Sequence, residues 1–217
     1  MNKGNKKHQL NESYFENIDS EEKAYWLGFI MADGCVYKQE STYRFQMNLN
    51  SKDKDTLVKL NQVISSDYEV KDKLVNNHPV SMLKINSKEF CEHLINKGVI
   101  PKKSGKEVVP NIDRDLVRHF IRGYFDGDGS LVITKRKDSD KLRYKFCIVS
   151  SKKLLEQVIA ILTEKECSIP PKAIQKTGEA YTLNIGSLDS IKKIRNYMYH
   201  DANIYLERKY DKFKTLS

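Results

Sequence analysis

The sequence predicts an α/β chain of the α+β kind, two tandem αββαββα modules related by pseudo-two-fold symmetry, and three observations carry that prediction. Two separate blocks recur at nearly one spacing. Tyr43 to Ile64 (YRFQMNLNSKDKDTLVKLNQVI) returns as Tyr144 to Leu162 (YKFCIVSSKKLLEQVIAIL) at an offset of 101, and Leu83-Lys84-Ile85-Asn86-Ser87 returns as Leu183-Asn184-Ile185-Gly186-Ser187 at an offset of 100. Within the longer block, the apolar period changes from two to that of a helix. Each copy also opens on an apolar, glycine-containing segment that stops at Asp-Gly. A chain of 217 residues accommodates two such modules of roughly 100 each.

The first element is a helix over Ala24 to Gly34 (AYWLGFIMADG). Asp19 and Ser20 offer an N-cap, and Glu21 and Glu22 place acids in the first turn, where the helix dipole favours them. Trp26 to Ala32 has no polar face, so this helix must be buried all round. Tyr43, Phe45, Met47 and Leu49 alternate with Arg44, Gln46 and Asn48, which is a strand with one core face and one wet face. Leu57, Leu60, Val63 and Ile64 then fall on one helical stripe. Val80 to Ser104 reads as the last strand and helix of the copy. Gly105 to Asn111, punctuated by Gly105 and Pro110, is the link. The second copy repeats the order. A helix over Leu116 to Gly129 (LVRHFIRGYFDGDG) follows Asp113, the strand at Tyr144 precedes the stripe of Leu154, Leu155, Val158, Ile159 and Leu162, and Ala180 to Tyr210 closes it. The expected boundaries are a tail over 1–13, a first module over 14–104, a linker over 105–111 and a second module over 112–217.

Composition narrows the function classes. At 39% apolar and 31% charged the chain can fill a core, and no run approaches the ~18 apolar residues of a membrane span. The basic N-terminus has no apolar stretch behind it, so it is not a secretory signal. Cys35, Cys91, Cys147 and Cys167 lie too far apart for a C-x-x-C site and read as reduced structural thiols. The expected setting is soluble and intracellular, a prokaryotic cytoplasm or an organelle matrix. A net charge of +9 suits a phosphate-rich partner. Zinc-hydrolase and P-loop spacings are absent. Asp53 with Glu69-Val70-Lys71, or Asp189 with Glu207-Arg208-Lys209, fits a D…E-x-K nuclease pattern only loosely, and neither sits on apolar core strands.

The chemistry concentrates at the ends of the two apolar helices. Gly28 and Gly123 each cost about 1 kcal/mol relative to Ala in mid-helix, which is recovered if two backbones must approach closely. They are the expected module interface. Asp33 and Asp128 each stand just before a glycine at a helix C-terminus, where exposed carbonyls already carry partial negative charge. Two such acids brought together by pseudo-symmetry need a cation between them, and carboxylates with backbone carbonyls are the hard oxygen donors that Mg²⁺ takes.

Trp26 to Gly34 (WLGFIMADG) and Ile121 to Gly129 (IRGYFDGDG) resemble the two nine-residue signatures of the LAGLIDADG homing endonucleases, and the resemblance covers about residues 14 to 217. Position eight, the metal-binding acid of that family, falls on Asp33 and Asp128. Position six, usually acidic, is Met31 in one copy and Asp126 in the other, which makes the helix contacts asymmetric. The resemblance implies a monomeric endonuclease that makes a double-strand break in a long asymmetric DNA target. It implies two or three Mg²⁺ ions held by Asp33, Asp128 and the carbonyls of Ala32 and Gly127, with Mn²⁺ substituting and Ca²⁺ supporting binding without turnover. It also implies lysines beside the scissile phosphates, for which the repeat offers Lys103 and Lys209, Lys102 being adjacent to the first. The two sheets would form a saddle on DNA. Its wet faces supply Arg44, Gln46, Asn48 and Lys84 from the first copy, with Lys71 and Lys73 on phosphate, and Arg143, Lys145, Thr182 and Asn184 from the second. The rival reading is an RNA splicing maturase bound to intron RNA, or a non-cleaving DNA-binding protein of the same fold. Retention of both acids weighs against pure binding. An intein is disfavoured because splicing blocks do not flank the repeat.

Overall fold

The computed structural model describes residues 8–101, 105–135 and 141–216. Its elements run α1 (Glu21–Asp33), β1 (Gly34–Gln39), β2 (Thr42–Asn50), α2 (Lys54–Val63), β3 (Lys71–Val75), β4 (His78–Ile85) and α3 (Lys88–Asn96). They continue with α4 (Val117–Asp128), β5 (Gly129–Lys135), β6 (Leu142–Ser150), α5 (Lys152–Glu164), β7 (Ile174–Thr177), β8 (Ala180–Ile185), α6 (Leu188–Tyr199) and α7 (Glu207–Lys214). The αββαββα order is present twice, and α7 is an addition to the second copy. Each copy has a four-stranded antiparallel sheet, ordered β1-β2-β4-β3 and β5-β6-β8-β7.

Two compact units emerge from the packing. Unit 1 takes Met1–Ile18 with Asp33–Lys102, and unit 2 takes Asp19–Ala32 with Lys103–Ser217. The helix that opens the first repeat in sequence thus belongs, by packing, with the second.

In unit 1 the alternation of β2 puts Tyr43, Phe45, Met47 and Leu49 inside. Leu57 and Leu60 of α2 and Phe90 and Leu94 of α3 close over them, with Phe90 edge-on to both Phe45 and Phe15 at 5.7 Å. The two-residue turn from β3 to β4 is Asn76-Asn77, both at positive φ (49° and 63°), the mirror-image turn that matches strand twist and that asparagine tolerates. In unit 2, Phe125 of α4 stacks on Phe146 of β6 at 4.9 Å, and Phe213 of α7 packs on Phe125 at 5.6 Å.

The repeat extends to the caps. Ser87 and Ser187, the last residues of the five-residue block, each accept a hydrogen bond from a backbone N–H three residues on, Phe90 at 3.2 Å and Ser190 at 3.3 Å. Ser151 does the same for α5 through Leu154 N at 3.0 Å. Each cap contributes about 1 kcal/mol. The offset is legible because strand, cap and helix are one physical unit. No helix among the described residues is long and apolar enough to cross a membrane.

Candidate active site and nucleic-acid interface

Ser20 begins α1 by accepting from Lys23 N at 3.3 Å, and residues 24 to 31 of the helix are buried without a break. Within unit 2 this helix meets α4 at two glycines. A Cβ on Gly28 would lie 2.1 Å from the Phe120 carbonyl oxygen, and one on Gly123 would lie 1.9 Å from the Tyr25 oxygen. The backbones touch, and only hydrogen fits between them.

Beside this contact run two polar clamps, one helical turn apart. Arg122, fully buried, donates to Glu21 Oε1 at 2.7 Å, to Met198 O at 2.6 Å and to Ile204 O at 2.9 Å, and lies 2.8 Å from His119 Nδ1. Asp126, equally buried, accepts from Tyr25 Oη at 3.0 Å, Tyr199 Oη at 3.3 Å and Leu206 N at 2.7 Å. Glu21 also accepts from Asn203 N at 2.8 Å and Asn203 Nδ2 at 3.0 Å. Both clamps therefore fix the stretch from 198 to 206 that leads into α7. The position-six acid is a structural anchor, whereas the acid two residues later, Asp128, is exposed. Met31, at position six of the other signature, is wholly buried.

Burial pushes the Asp126 carboxyl up to about 6, the Leu206 N–H and the Lys209 charge resisting without cancelling. Burial, and then the Arg122 charge, pulls the His119 ring down to about 4. These shifts act oppositely on stability. Between its folded value of about 6 and its ordinary 3.8, Asp126 holds a proton that the unfolded chain lacks, so its contribution grows as pH falls. Between 6.5 and about 4, His119 stays neutral while the unfolded chain protonates, so its contribution shrinks as pH falls. Relative to wild type, Asp126→Asn should therefore lose stability on acidification from pH 6.5 to 4 and His119→Gln should gain it, with slopes that differ from wild type by up to about 1.4 kcal/mol per pH unit. Denaturant titrations across this range test it. Parallel pH curves for all three proteins would refute the opposed shifts.

Lys209 is 7% exposed, and its ammonium donates to the carbonyls of Phe125 at 2.9 Å, Gly127 at 2.8 Å and Gly129 at 2.7 Å. A cation at this helix end complements the dipole. The sequence reading assigns Gly127 O to a metal and Lys209 to phosphate; in the structure the two are hydrogen-bonded to each other, because α7 brings the lysine inward. Sequence reasoning missed α7. Its signal was Leu206, Tyr210 and Phe213 at helical spacing, obscured by a lysine on the buried stripe. It also missed Arg122 and Glu21 as clamps, since either reads as a solvated charge. Lys103 and Lys102 lie outside the described residues.

Asp33 ends α1 and Asp128 ends α4, each followed without a gap by the first strand of a sheet, β1 or β5. Ala32 and Asp33 are half-buried. No group of three or more His, Cys, Asp or Glu gathers among the described residues. The donor chemistry fits a hard divalent cation that takes its remaining oxygens from phosphate and water, the habit of Mg²⁺. Zinc, which prefers nitrogen and sulfur, does not fit.

The outer face of the first sheet carries Tyr37, Arg44, Gln46, Asn48, Lys84, Lys71 and Lys73 in one register. Arg44 donates to Asn86 Oδ1 at 3.1 Å and Gln46 to Asn48 Oδ1 at 3.3 Å. Lys71 is 3.4 Å from Glu69, and Lys73 leans on Met82 Sδ at 3.6 Å. The second sheet presents Arg143, Lys145, Thr182 and Asn184. Thr182 donates to Thr177 Oγ1 at 3.1 Å, and Asn184 Oδ1 accepts from Cys147 Sγ at 3.3 Å.

Paired α+β modules, each with a helix ending in an acid beside a basic sheet face, define the class. Residues 115–199 match the LAGLIDADG-like domain family. Across the described chain the fold is that of the single-chain, two-module LAGLIDADG homing endonucleases. The meganuclease I-CpaMI bound to uncleaved DNA is 13% identical, with a TM-score of 0.60, covering 92% of this chain and 90% of that one. I-SmaMI bound to cleaved DNA is 16% identical at the same TM-score of 0.60, covering 92% and 88%. I-SmaMI has also been solved on uncleaved target with calcium ions, at a TM-score of 0.58 and 14% identity over 92% of this chain and 90% of that one. Among curated proteins, the replication factor C small subunit of Methanocaldococcus jannaschii is 30% identical over 118 residues, which is 54% of this chain and 6% of that protein.

Proposed function

We propose that this protein is a site-specific DNA endonuclease, acting as a monomer on a long asymmetric duplex target. The observation that carries the reading is the duplicated junction. Asp33 and Asp128 each close a glycine-bearing helix, and the next residue starts a sheet whose outer face carries basic side chains. In this reading each sheet presents its outer face to DNA, and a β-surface can enter the major groove. Arg44 and Arg143 match guanine, and Gln46 and Asn48 match adenine. Lys71 and Lys73 neutralise phosphate, a sequence-independent contribution. Asp33 and the Ala32 carbonyl, and separately Asp128, would each offer oxygen donors to a divalent ion, Mg²⁺ first. Such ions polarise phosphate and lower the pKa of an attacking water. Lys209 keeps the α4 terminus rigid beneath Asp128, and the clamps at Arg122 and Asp126 hold α7 so that Lys209 stays there.

The test is cleavage of a randomised duplex library with sequencing of the products. With Mg²⁺ we expect double-strand cuts at one long non-palindromic sequence. A chelator should leave binding and stop cutting, and Ca²⁺ should support binding with little turnover, because the larger ion accepts looser geometry. Undiminished cutting in chelator would exclude the metal-dependent mechanism, and no cutting in any divalent cation would exclude the endonuclease.

A further inference from the structure

The two sheets differ at equivalent places on their outer faces. By the offset of 101, Gln46 and Asn48 of β2 correspond to Cys147 and Val149 of β6, and by the shared Gly34 and Gly129 that open β1 and β5, Tyr37 corresponds to Val132. Val149 is 41% exposed and Val132 is 37% exposed. They stand on the same face as Arg143 and Lys145, Val132 opposite Lys145 and Val149 opposite Thr182 in the registers of neighbouring strands. Directly opposed residues have their Cβ atoms about 5 Å apart. The outer face of the second sheet thus offers branched methyl groups between cationic side chains, where the first sheet offers amides and a phenol.

We infer, resting on the DNA-reading role above, that Val132 and Val149 read thymine methyl groups, so that the half-site facing unit 2 is specified in part by methyl contacts that the half-site facing unit 1 lacks. In the major groove thymine alone among the four bases presents a C5 methyl, and an apolar side chain distinguishes it by contact alone. Valine has no donor or acceptor with which to read any other base feature. Lys145, opposite Val132, supplies attraction to the phosphate backbone that brings the methyls within reach. Asn184, its oxygen engaged by the Cys147 thiol, keeps its amide donors for a neighbouring acceptor.

The experiment uses the full chain and the duplex recovered by selection from a randomised library, with each thymine replaced in turn by deoxyuridine, which lacks only the methyl. Half-sites are assigned by the base positions whose preference relaxes in Arg143→Ala and in Arg44→Ala. Loss of one buried methyl corresponds to about a fourfold weakening. We expect that loss at one or more thymines of the unit 2 half and less than twofold at thymines of the other. Val149→Ser or Val132→Ser should abolish the sensitivity at its own thymine, a coupling that a double-mutant cycle isolates. The deoxyuridine arm alters no protein residue, so misfolding cannot imitate it. Full tolerance of deoxyuridine in the unit 2 half, with selective binding intact, would overturn the inference and leave the valines as strand formers only. Equal sensitivity in both halves would overturn it too. Failure of selection to yield any consensus would remove the DNA-reading role itself, and this inference with it.

Discussion

Asp33→Asn and Asp128→Asn should each reduce double-strand cleavage by more than about a hundredfold while leaving affinity for the selected duplex within a few-fold. Loss even of a group that only orients a metal ligand typically lowers activity or metal affinity 10- to 100-fold, so loss of a direct oxygen donor should exceed that. Asparagine keeps the shape and removes the charge. It also removes an acid from the C-terminal end of a helix, where the dipole disfavours one by about 0.3–1 kcal/mol. The variants should therefore fold as well as the parent, and their defect should be confined to turnover. The measurements are plasmid cleavage, which separates nicking from double-strand breaks, and equilibrium binding on the same preparation. Wild-type cleavage by either variant would remove that acid from the site.

The second large effect is on stability. Gly123→Ala places a methyl 1.9 Å from Tyr25 O, 2.8 Å from Tyr25 C and 3.0 Å from Phe29 N, all of them backbone atoms of α1. Two effects oppose each other. Alanine is favoured over glycine by about 1 kcal/mol inside a helix, whereas overpacking costs about 1–3 kcal/mol and more where nothing can yield. A side chain could rotate away, but a helix backbone cannot without moving the helix. Sterics should win by about 2 kcal/mol or more, which lowers the melting temperature by roughly 4–8 °C in a chain of this size. Gly186→Ala is the control, since its added Cβ comes no nearer than 4.0 Å to any neighbour. Equal melting temperatures for the two variants would mean that the helices do not cross at Gly123.

The αββαββα order and the faces of β2 were readable because each rests on a local period, two for a strand and about 3.6 for a helix, repeated a hundred residues later. The glycines were readable because their cost in a helix demands a return. What escaped was non-local. Glu21 stands where the dipole alone explains an acid, and nothing near it in sequence announces Arg122, 101 residues away. Lys209 reads as a surface lysine, because what makes it a cap is the arrival of α7 against the end of α4. Nothing in sequence links Lys209 to Gly127, and only the folded chain brings the two within 2.8 Å.

The assignment of α1 to unit 2 has a consequence during synthesis. The helix leaves the ribosome ahead of the rest of unit 2, and its partner Asn203 lies 182 residues after Glu21. At about 5–20 residues per second, that interval is on the order of ten to forty seconds. Until α4 emerges, about half of that interval, a helix with no polar face from Trp26 to Ala32 has none of its α4 partners, Phe120, Tyr124 and Asp126 among them. The nascent chain should therefore be a chaperone client until α4 emerges, and a pause in translation between β4 and α4 should lower yield more than a pause before α1.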